Sequence, residues 1–422
     1  MDSYHRRLHG FFVVAGLLSI SALFLQTGAI GLPGIARAEP SSTALEKADG
    51  KIPDQYIVVL NEESEQGPRN VADEARRKGA SILHVYEHAI KGFAMKVPND
   101  AVLEKIKNDE RIAYVEADQV VTAFAQVLPA GIDRVDADSN PTVQAGNGVG
   151  STNVDIAIID TGIYLSHSDL NVYKHKTYVK GTKTGNDDNG HGTHVAGTAA
   201  AKDDGNGVVG MAPGARLWAV KVLDRSGSGS LSNVIKGIDF VTQYAGEIEV
   251  ANMSLGCECT STSMNTSIHN SVAAGVTYVV AAGNSAKDAS TFSPANHPDV
   301  IAVSAIVDTD GKAGGLGSST SYGADDTFAS FSNYGSAVDI AAPGVKIYST
   351  YKGGSYATMS GTSMASPHVA GAAAIYLVNN PEATPSQLMS ALQSEGISFG
   401  NASYFSGDTD GIHEALLYAA NL

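Results

Sequence analysis

The stretch Asp155-Ile156-Ala157-Ile158-Ile159-Asp160-Thr161-Gly162 joins an unbroken apolar run to a carboxylate and a glycine. Four consecutive apolar residues without alternation predict a strand that is buried on both faces, as in a parallel sheet covered by helices. Gly162 allows the chain to turn sharply after such a strand. The stretch therefore predicts an α/β domain in which Asp160 lies at the carboxyl end of a strand.

Similar apolar runs follow at residues 217–222, 250–254, 277–281 and 300–305, separated by helical stretches. This alternation predicts a three-layer α/β domain with a mostly parallel central sheet. Ligands of open α/β sheets bind at the carboxyl ends of the strands. Asp160 is therefore a candidate catalytic residue, although an aspartate that only caps a strand or a helix is an equally good interpretation of this motif alone.

Residues 55–124 follow a different pattern. Strand-like runs at 55–60, 81–88, 92–97 and 112–115 alternate with helical stretches at 71–78 and 101–107. The resulting βαββαβ order predicts a small ferredoxin-like α+β domain. The polar residues 39–54 before it are expected to form a linker.

The N-terminus predicts export. Arg6 and Arg7 precede an apolar run at residues 11–30, and the small-x-small pattern Ala36-Arg37-Ala38 follows. Cleavage after Ala38 would remove residues 1–38 as a signal peptide, and the paired arginines also permit twin-arginine export. The alternative is an uncleaved membrane anchor, since the run approaches the ~20 residues that span a bilayer.

The charge of the chain argues against two classes of partner. Its 422 residues include 44 acidic and 28 basic side chains, which gives a formal net charge of -16. Such a chain is not drawn to nucleic acid or to anionic membranes. We therefore expect no nucleic-acid partner, and no membrane partner once the signal is removed. Given the predicted signal peptide, we expect a secreted protein, and we expect it to be a monomer.

The motif Asn189-Gly190-His191-Gly192-Thr193-His194 places two histidines at the start of a predicted helix. An imidazole between glycines suits a general base that a substrate must approach closely. The two histidines also have the spacing of zinc ligands on a helix, but no HExxH pattern or nearby cysteine completes a zinc site. We interpret His191 as the base and His194 as a hydrogen-bonded core residue.

The motif Gly361-Thr362-Ser363-Met364-Ala365 opens a second apolar helix. Free N–H groups and the helix dipole favour a developing anion at this end of a helix, so Ser363 suits an acyl-transfer nucleophile. A serine that acts only as a helix N-cap is the alternative. That alternative does not explain why aspartate, histidine and serine motifs occur together in one chain.

These three motifs, in the order Asp, His, Ser, closely resemble those of the subtilase family, near its subtilisin and proteinase K branches. The resemblance extends from residue 125 to the C-terminus. It implies a serine endopeptidase in which Ser363 attacks the scissile carbonyl, His191 transfers the proton and Asp160 orients the imidazole. An α/β-hydrolase esterase is disfavoured because no GxSxG motif surrounds Ser363, and intact motifs argue against a catalytically silent binding protein.

The resemblance also implies the oxyanion donor and the substrate channel. Asn284 takes the place of the family's oxyanion-hole amide, with an ordinary turn asparagine as the alternative. A peptide would add as a strand between two exposed edges, which favours broad specificity. Small residues near Asn284 predict a pocket for a large apolar side chain before the scissile bond. The residues expected to line the channel are Gly227, Gly229, Ser254, Leu255, Gly256, Ala281 and Gly283.

Residues 121–132 resemble the family's junction between propeptide and mature enzyme. The resemblance implies self-cleavage after Phe124, a mature peptidase domain at 125–422, and an inhibitor-type propeptide at 55–124 that acts as an intramolecular inhibitor. Phe124 would itself fit the predicted apolar pocket. A permanent regulatory domain, the alternative, would require a junction that resists cleavage.

Structural Ca²⁺ is implied by an oxygen-rich loop at residues 202–208, although a solvated acidic turn is the alternative. On the resemblance, the first site takes side chains of Gln126, Asp169 and Asp204 and carbonyls of Lys202, Asn206 and Val208. A second, weaker site takes Asp339 with the carbonyls of Pro298 and Val300.

Cys257 stands where relatives commonly have glycine, and Cys259 lies two residues on. In an extended chain their Cα atoms would lie near the upper limit of about 6.8 Å for a disulfide. We therefore expect two free thiols beside the substrate edge.

Overall fold

The computed structural model describes residues 51–61, 64, 66–119, 126–148 and 150–422. The chain divides into two compact units, Met1–Thr122 and Ala123–Leu422. The predicted signal peptide and the predicted cuts after Ala38 and Phe124 lie outside the described residues. Among the residues that are described, no helix has both the length and the hydrophobicity needed to cross a bilayer.

The first unit has the predicted βαββαβ order. Its antiparallel sheet has the strand order β2-β3-β1-β4 and packs on both helices around a core that includes Phe93 and Ile106. Because Lys51 already pairs with Gln119, residues 51–54, which were expected in the linker, belong to the sheet. The elements are β1 Lys51–Leu60, α1 Pro68–Arg77, β2 Ser81–Tyr86, β3 Gly92–Lys96, α2 Asp100–Lys107 and β4 Ile112–Gln119.

The second unit alternates strands and helices, as predicted. In chain order, the elements up to residue 273 are α3 Ala130–Arg134, β5 Asp155–Asp160, β6 Val172–Thr177, α4 His191–Ala200, β7 Arg216–Lys221, α5 Leu231–Gln243, β8 Val250–Met253, β9 Cys257–Glu258 and α6 Thr262–Ala273. Those that follow are β10 Thr277–Ala281, β11 Phe292–Ser293, β12 Val300–Val307, β13 Thr327–Phe328, β14 Ile340–Pro343, β15 Ile347–Tyr351, β16 Ser355–Met359, α7 Thr362–Asn379, α8 Pro385–Glu395 and β17 Ala415–Leu416.

The main sheet has the order β17-β14-β12-β10-β8-β5-β7-β6. The pairings along this order are parallel, and β13 adds to β12 in the antiparallel sense. Strand β5 therefore lies inside the sheet, between β8 and β7.

Strand β5 shows why its sequence is apolar without interruption. Ile156 and Ile158 pack into one core with α4 and α7, whereas Ala157 and Ile159 pack into a second core with α5 and α6. All four side chains are fully buried. A strand needs apolar residues on both faces when helices cover both faces of its sheet, so the predicted three-layer α/β fold is confirmed.

The two cysteines correct one prediction. Cys257 and Cys259 form a disulfide, with their Cα atoms 5.3 Å apart. The chain turns between them, because the Cys259 N–H donates to the Cys257 carbonyl at 2.8 Å. The expectation of free thiols was wrong because it assumed an extended segment.

Candidate active site

Three neighbouring strands end at one edge of the main sheet, and a predicted site residue follows or ends each of them. Asp160 is the last residue of β5, Ser254 follows β8, and Asn284 lies just after β10. The strands β10, β8 and β5 are adjacent in the sheet and parallel. The fold therefore brings together side chains that are far apart in the sequence, at the edge where α/β sheets bind ligands.

Asp160 and His191 contact each other directly. His191 Nδ1 lies 2.8 Å from Asp160 Oδ1 and 3.0 Å from Oδ2, and the Thr161 N–H donates to Oδ1 at 2.6 Å. A Cβ at Gly192 would meet the Gly162 carbonyl and would lie 3.1 Å from the Asp160 side chain. Glycine at this position thus allows the first turn of α4 to approach the end of β5.

The imidazole of His191 combines burial with partial access to solvent. Its side chain is 21% exposed, while that of Asp160 is fully buried. Burial alone would lower the pKa of His191, but the charge and hydrogen bond of Asp160 and the charge of Asp187 outweigh it, so the pKa is raised. The carboxylate therefore favours the imidazolium form that a general base acquires during proton transfer.

His194, the second histidine of the motif, is a core residue. It is fully buried, and its Nε2 lies 3.0 Å from the Ile347 carbonyl and 3.1 Å from the Ala357 carbonyl. Burial lowers its pKa to about 4. The neutral ring thus bonds β15 and β16, as a hydrogen-bonded core histidine would.

Asp187 is a buried carboxylate that sequence reasoning missed. Its Oδ1 accepts from Thr161 Oγ1 and from the Gly190 N–H, both at 2.9 Å. Its Oδ2 accepts from the Thr193 N–H at 3.0 Å. Asp187 therefore joins the turn after Asp160 to the start of the helix that carries His191.

Lys221 was missed as well. It is fully buried at the end of β7, where its ammonium donates to the carbonyls of Thr161 at 2.6 Å and Leu223 at 2.8 Å and to Asp188 Oδ1 at 2.7 Å. A charged residue inside the apolar run 217–223 was the available signal, because lysine is rarely buried unless it is paired.

Ser363 is the second residue of α7 and contacts the segment that follows β8. Its hydroxyl donates to the Ser254 carbonyl at 3.2 Å, and the Ser254 hydroxyl donates to the Ser363 carbonyl at 2.8 Å. In this structure the Ser363 proton is thus engaged by Ser254. These reciprocal bonds fix the start of α7 against the residues that follow β8.

The amide of Asn284 is oriented by its oxygen. Asn284 Oδ1 accepts from the Thr362 N–H at 2.8 Å and from Thr362 Oγ1 at 3.0 Å. A Cβ at Gly361 would lie 3.5 Å from Asn284 Nδ2, 3.6 Å from Asn284 Oδ1 and 3.7 Å from the Ser363 nitrogen, so the Asn284 amide and the start of α7 are close together. The Asn284 side chain therefore lies beside the first turn of α7, which carries Ser363.

Asn333 is a further residue that the sequence did not reveal. Its amide donates to the Ala282 carbonyl at 2.9 Å and accepts from the Ser285 N–H at 3.0 Å. Gly283 has φ +109°, and a Cβ there would collide with the Asn333 amide. Asn333 therefore holds the turn that presents Asn284.

A cavity of about 560 Å³ lies beside His191. It contains five of the predicted substrate residues, namely Gly227, Gly229, Ser254, Leu255 and Gly256. Ala281 and Gly283 lie at the end of β10, next to Asn284, and do not line it. The cavity is also lined by Asn189, Leu223, Leu231, Val234, Cys257, Met264 and Met359, which sequence reasoning did not assign. Leu231, Val234 and Met264 lie on helices α5 and α6. Their apolar side chains at helical spacing indicate core residues, so the sequence alone did not assign them to a cavity.

The residues of the first predicted calcium site come together around buried oxygens. Asp169 Oδ1 and Gln126 Oε1 are both buried without a hydrogen-bond partner. The Gln126 amide nitrogen lies 2.6 Å from the Lys202 carbonyl and 3.2 Å from the Val208 carbonyl. Burial raises the pKa of Asp169 to about 6. The two unpartnered oxygens, Gln126 Oε1 and Asp169 Oδ1, fit a hard cation, whereas the two carbonyls accept from the Gln126 amide nitrogen.

At the second predicted calcium site, the structure shows the position of the carboxylate relative to β12. Asp339 Oδ2 accepts from the Ala302 N–H at 2.8 Å, close to Val300 on β12. Burial raises the pKa of Asp339 to about 6. The structure thus places the carboxylate beside β12, and Pro298 lies just before that strand.

Comparisons with known proteins agree with this geometry. Residues 151–400 match the model of the subtilase family, and residues 55–124 match that of peptidase inhibitor I9. An extracellular serine proteinase of a Thermus species is 40% identical over 413 residues, covering 91% of this chain and 93% of the relative. Subtilisin E of Bacillus subtilis is 39% identical over 356 residues, covering 83% of this chain and 87% of the relative.

A solved structure is similar as well. The crystal structure of a cold-adapted subtilisin-like serine proteinase covers 70% of this chain and 98% of its own, with 35% identity and a TM-score of 0.55. The family resemblance predicted from the three motifs is thereby confirmed, as is the small α+β domain before the main sheet. The chain belongs to the subtilase family of serine endopeptidases and carries an inhibitor I9 domain ahead of its peptidase domain.

Proposed function

We propose that the chain is a secreted serine endopeptidase, made as a zymogen, whose catalytic triad is Asp160, His191 and Ser363. The observation that carries the proposal is the contact of His191 Nδ1 with the buried Asp160 carboxylate at 2.8 Å, at the sheet edge that also presents Asn284. The other ring nitrogen of His191 is thereby left for the proton of a nucleophile.

The first half of the reaction forms an acyl-enzyme. The Ser363 hydroxyl leaves the Ser254 carbonyl, gives its proton to His191 Nε2 and attacks the scissile carbonyl carbon. The imidazolium, stabilised by Asp160, then returns the proton to the leaving amine as the peptide bond breaks. Water repeats the sequence on the acyl-enzyme, with His191 again as base, and releases Ser363.

Asn284 and the Ser363 N–H would stabilise the oxyanion of the tetrahedral intermediate. Since Thr362 donates twice to the amide oxygen of Asn284, the amide nitrogen is the group free to donate. A donor oriented before the reaction stabilises the transition state without reorganisation, which is why removal of one donor costs about 2.7–4 kcal/mol.

Apolar lining supports a preference for apolar substrate side chains. The described cavity is lined by Leu223, Leu231, Val234, Leu255, Met264 and Met359, and its lining includes no acidic residue that would select lysine or arginine. The small residues Ala281 and Gly283 beside Asn284 favour a large apolar side chain before the scissile bond. With backbone pairing along residues 254–256, this arrangement favours broad specificity.

Calcium is proposed as a structural ion. The first site would use Gln126, Asp169 and Asp204 with the carbonyls of Lys202, Asn206 and Val208, and the unpartnered oxygens of Gln126 and Asp169 support it. The site ties the segment after the predicted cut to the loop that follows α4. A second site at Asp339, Pro298 and Val300 rests on the resemblance.

Secretion and latency are supported by the relatives. The Thermus relative is named an extracellular proteinase, and residues 55–124 match an inhibitor of peptidases. We infer that this segment inhibits the enzyme until the chain is cut after Phe124, and that the processed enzyme acts as a monomer on protein or peptide substrates. The formal charge of -16 disfavours nucleic acid and anionic membranes as partners.

Purification of the wild type beside Ser363→Ala tests this proposal. N-terminal sequencing should find Ala125 at the start of the wild-type protein, whereas the variant, which lacks the nucleophile, should keep residues 55–124 attached. A serine reagent should label Ser363 only in the processed wild type. Processing of both proteins at the same bond would contradict self-cleavage, and failure of the processed protein to label would favour a silent binding protein.

A further inference from the structure

The turn before the last strand contains three carboxylates, in the sequence Asp408-Thr409-Asp410-Gly411-Ile412-His413-Glu414. The turn is closed by the Ile412 N–H, which donates to Asp410 Oδ1 at 2.7 Å. His413 Nδ1 lies 3.0 Å from Asp408 Oδ2, and its ring stacks on Phe399 with centroids 3.7 Å apart. One oxygen of each aspartate is thus used within the turn.

The other oxygen of each aspartate has no partner. Asp408 Oδ1 and Asp410 Oδ2 are both buried and accept no hydrogen bond. The Asp408 side chain as a whole is only 4% exposed. A buried carboxylate oxygen without a donor is strongly disfavoured, so two of them in one turn indicate a positive ligand that completes them.

Glu414 adds a third carboxylate to the same buried region. Its side chain accepts a hydrogen bond from Ser304 Oγ on β12. Within the described part of the chain, no lysine or arginine forms an ion pair with any of these three residues.

A second copy of the tetrapeptide lies beside a basic side chain. Asp308-Thr309-Asp310-Gly311 has the same four residues. There, Arg134 Nε lies 3.1 Å from Asp308 Oδ2 and 2.8 Å from Asp326 Oδ1. The buried guanidinium supplies positive charge at that copy, although Asp308 Oδ2 accepts no hydrogen bond there and Asp308, Asp310 and Asp325 bring carboxylate oxygens within 4.8 Å of one another. The turn at 408–414 has only His413, which is charged only when protonated.

We propose that the turn at residues 408–414 binds a calcium ion through Asp408 Oδ1 and Asp410 Oδ2, with Glu414 supplying further negative charge. Oxygen-only ligands favour calcium over zinc or copper, which prefer nitrogen and sulfur. The site is separate from those at Asp169 and Asp339.

The site would hold the C-terminal strand on the sheet. Glu414 immediately precedes β17, which pairs with β14 and exchanges two hydrogen bonds with Ile397. Tyr404 bonds the same turn, because its hydroxyl donates to the Glu414 carbonyl at 2.7 Å. A cation bound here would therefore couple the turn, β12 and the last strand.

Terbium luminescence tests the proposal, because terbium takes the oxygen ligands of calcium and is excited through a nearby tyrosine. Tyr404 is the antenna of the proposed turn, and Tyr356, which donates to Asp169 Oδ2 at 3.2 Å, is that of the first site. The processed protein, blocked with a serine reagent and stripped with a chelator, should show one saturable component from each of these two tyrosine-flanked sites, and calcium should displace both. Tyr404→Phe should remove one component, and Tyr356→Phe the other.

Isosteric variants identify the ligands. Asp410→Asn should weaken the Tyr404 component by at least about tenfold, since even indirect changes at a metal site cost about 10–100-fold in affinity, and leave the Tyr356 component unchanged. The control Asp239→Asn, at an exposed site on α5, should alter neither. Equilibrium dialysis should find one calcium fewer in the Asp408→Asn, Asp410→Asn double variant. Unchanged emission in Tyr404→Phe, or wild-type terbium affinity in Asp410→Asn, would overturn the proposal. Tyr404→Phe keeps every proposed ligand, so the test remains decisive even if the aspartate variants fold poorly.

Discussion

At the scale of single residues, the protonation of His191 depends on the carboxylate of Asp160. Burial disfavours the imidazolium, yet the charge of Asp160 outweighs that cost and raises the pKa of His191 above its ordinary value. The proposed base is neutral only above its pKa. Activity should therefore fall as the pH decreases through a pKa that is higher than that of a free imidazole.

Replacement of Asp160 by asparagine tests this dependence. Asp160→Asn removes the charge and keeps the shape, so the acidic limb of the kcat/KM profile should move to lower pH. Turnover should fall by about 10⁴-fold, because asparagine favours the wrong tautomer of the histidine. The pH dependence of peptide hydrolysis measures both effects. The control Asp239→Asn, at an exposed site on α5, should alter neither, and an unmoved acidic limb in Asp160→Asn would contradict the assignment.

Two substitutions at Asn284 separate its two hydrogen-bonding roles. Asn284→Ala loses both the acceptor for Thr362 and the proposed oxyanion donor, whereas Asn284→Asp keeps the acceptor and loses the donor. Both should lower kcat by about 10²–10³-fold with little change in KM. Asn284→Asp should retain more thermal stability than Asn284→Ala. Wild-type kcat in Asn284→Asp would show that the amide donates nothing in the transition state.

At the scale of elements, the disulfide fixes one wall of the cavity beside His191. Cys257 lines the cavity, and its strand β9 pairs with β11 across Phe292 and Ser293. The bond closes only a very short loop, so its entropic contribution to stability is small, about 1–2 kcal/mol. Its main effect should be on the position of the wall.

The double variant Cys257→Ser, Cys259→Ser measures that effect. KM should rise severalfold for peptides long enough to fill the cavity, while kcat and the KM of a short substrate stay unchanged. Treatment with a reductant should reproduce this pattern in the wild type and have no effect on the double variant. An equal rise in KM for long and short substrates would mean that the disulfide affects the whole site rather than only the cavity wall.

Strands and helices that are determined by neighbouring residues could be predicted from the sequence, whereas contacts between distant segments could not. Strand β5 and helix α7 follow from apolar runs and their glycines. Asp187 bonds Thr161, 26 residues away, and Lys221 bonds the same residue from 60 residues away. No local pattern encodes such partners. The disulfide was mispredicted because the turn that shortens its Cα spacing is set by hydrogen bonding within the segment rather than by its residue types.

At the scale of the whole molecule, calcium should stabilise the peptidase domain. The segment at Gln126 and the loop at 202–208 share the proposed first site, so its loss releases two parts of the chain together. A ligand present at 100 times its Kd contributes about 2.7 kcal/mol to stability. For a domain of this size, that corresponds to roughly 4 °C in Tm.

Thermal unfolding with and without a chelator checks this expectation. The chelator should lower Tm of the wild type, and Asp169→Asn should start lower and respond less, because one ion is already lost. Asp239→Asn should respond like the wild type. A wild-type Tm that is insensitive to chelation would contradict structural calcium at every proposed site.

The alternation of β5 between two cores has a consequence for how the gene can change. Each residue from Ile156 to Ile159 faces a different core from its neighbours, and Asp160 ends the strand in register with Lys221 of β7. Deletion of a single codon here would exchange the two faces and withdraw the carboxylate from His191. Length variation among descendants of this chain should therefore be confined to surface loops such as residues 313–322, while β5 keeps a fixed number of residues.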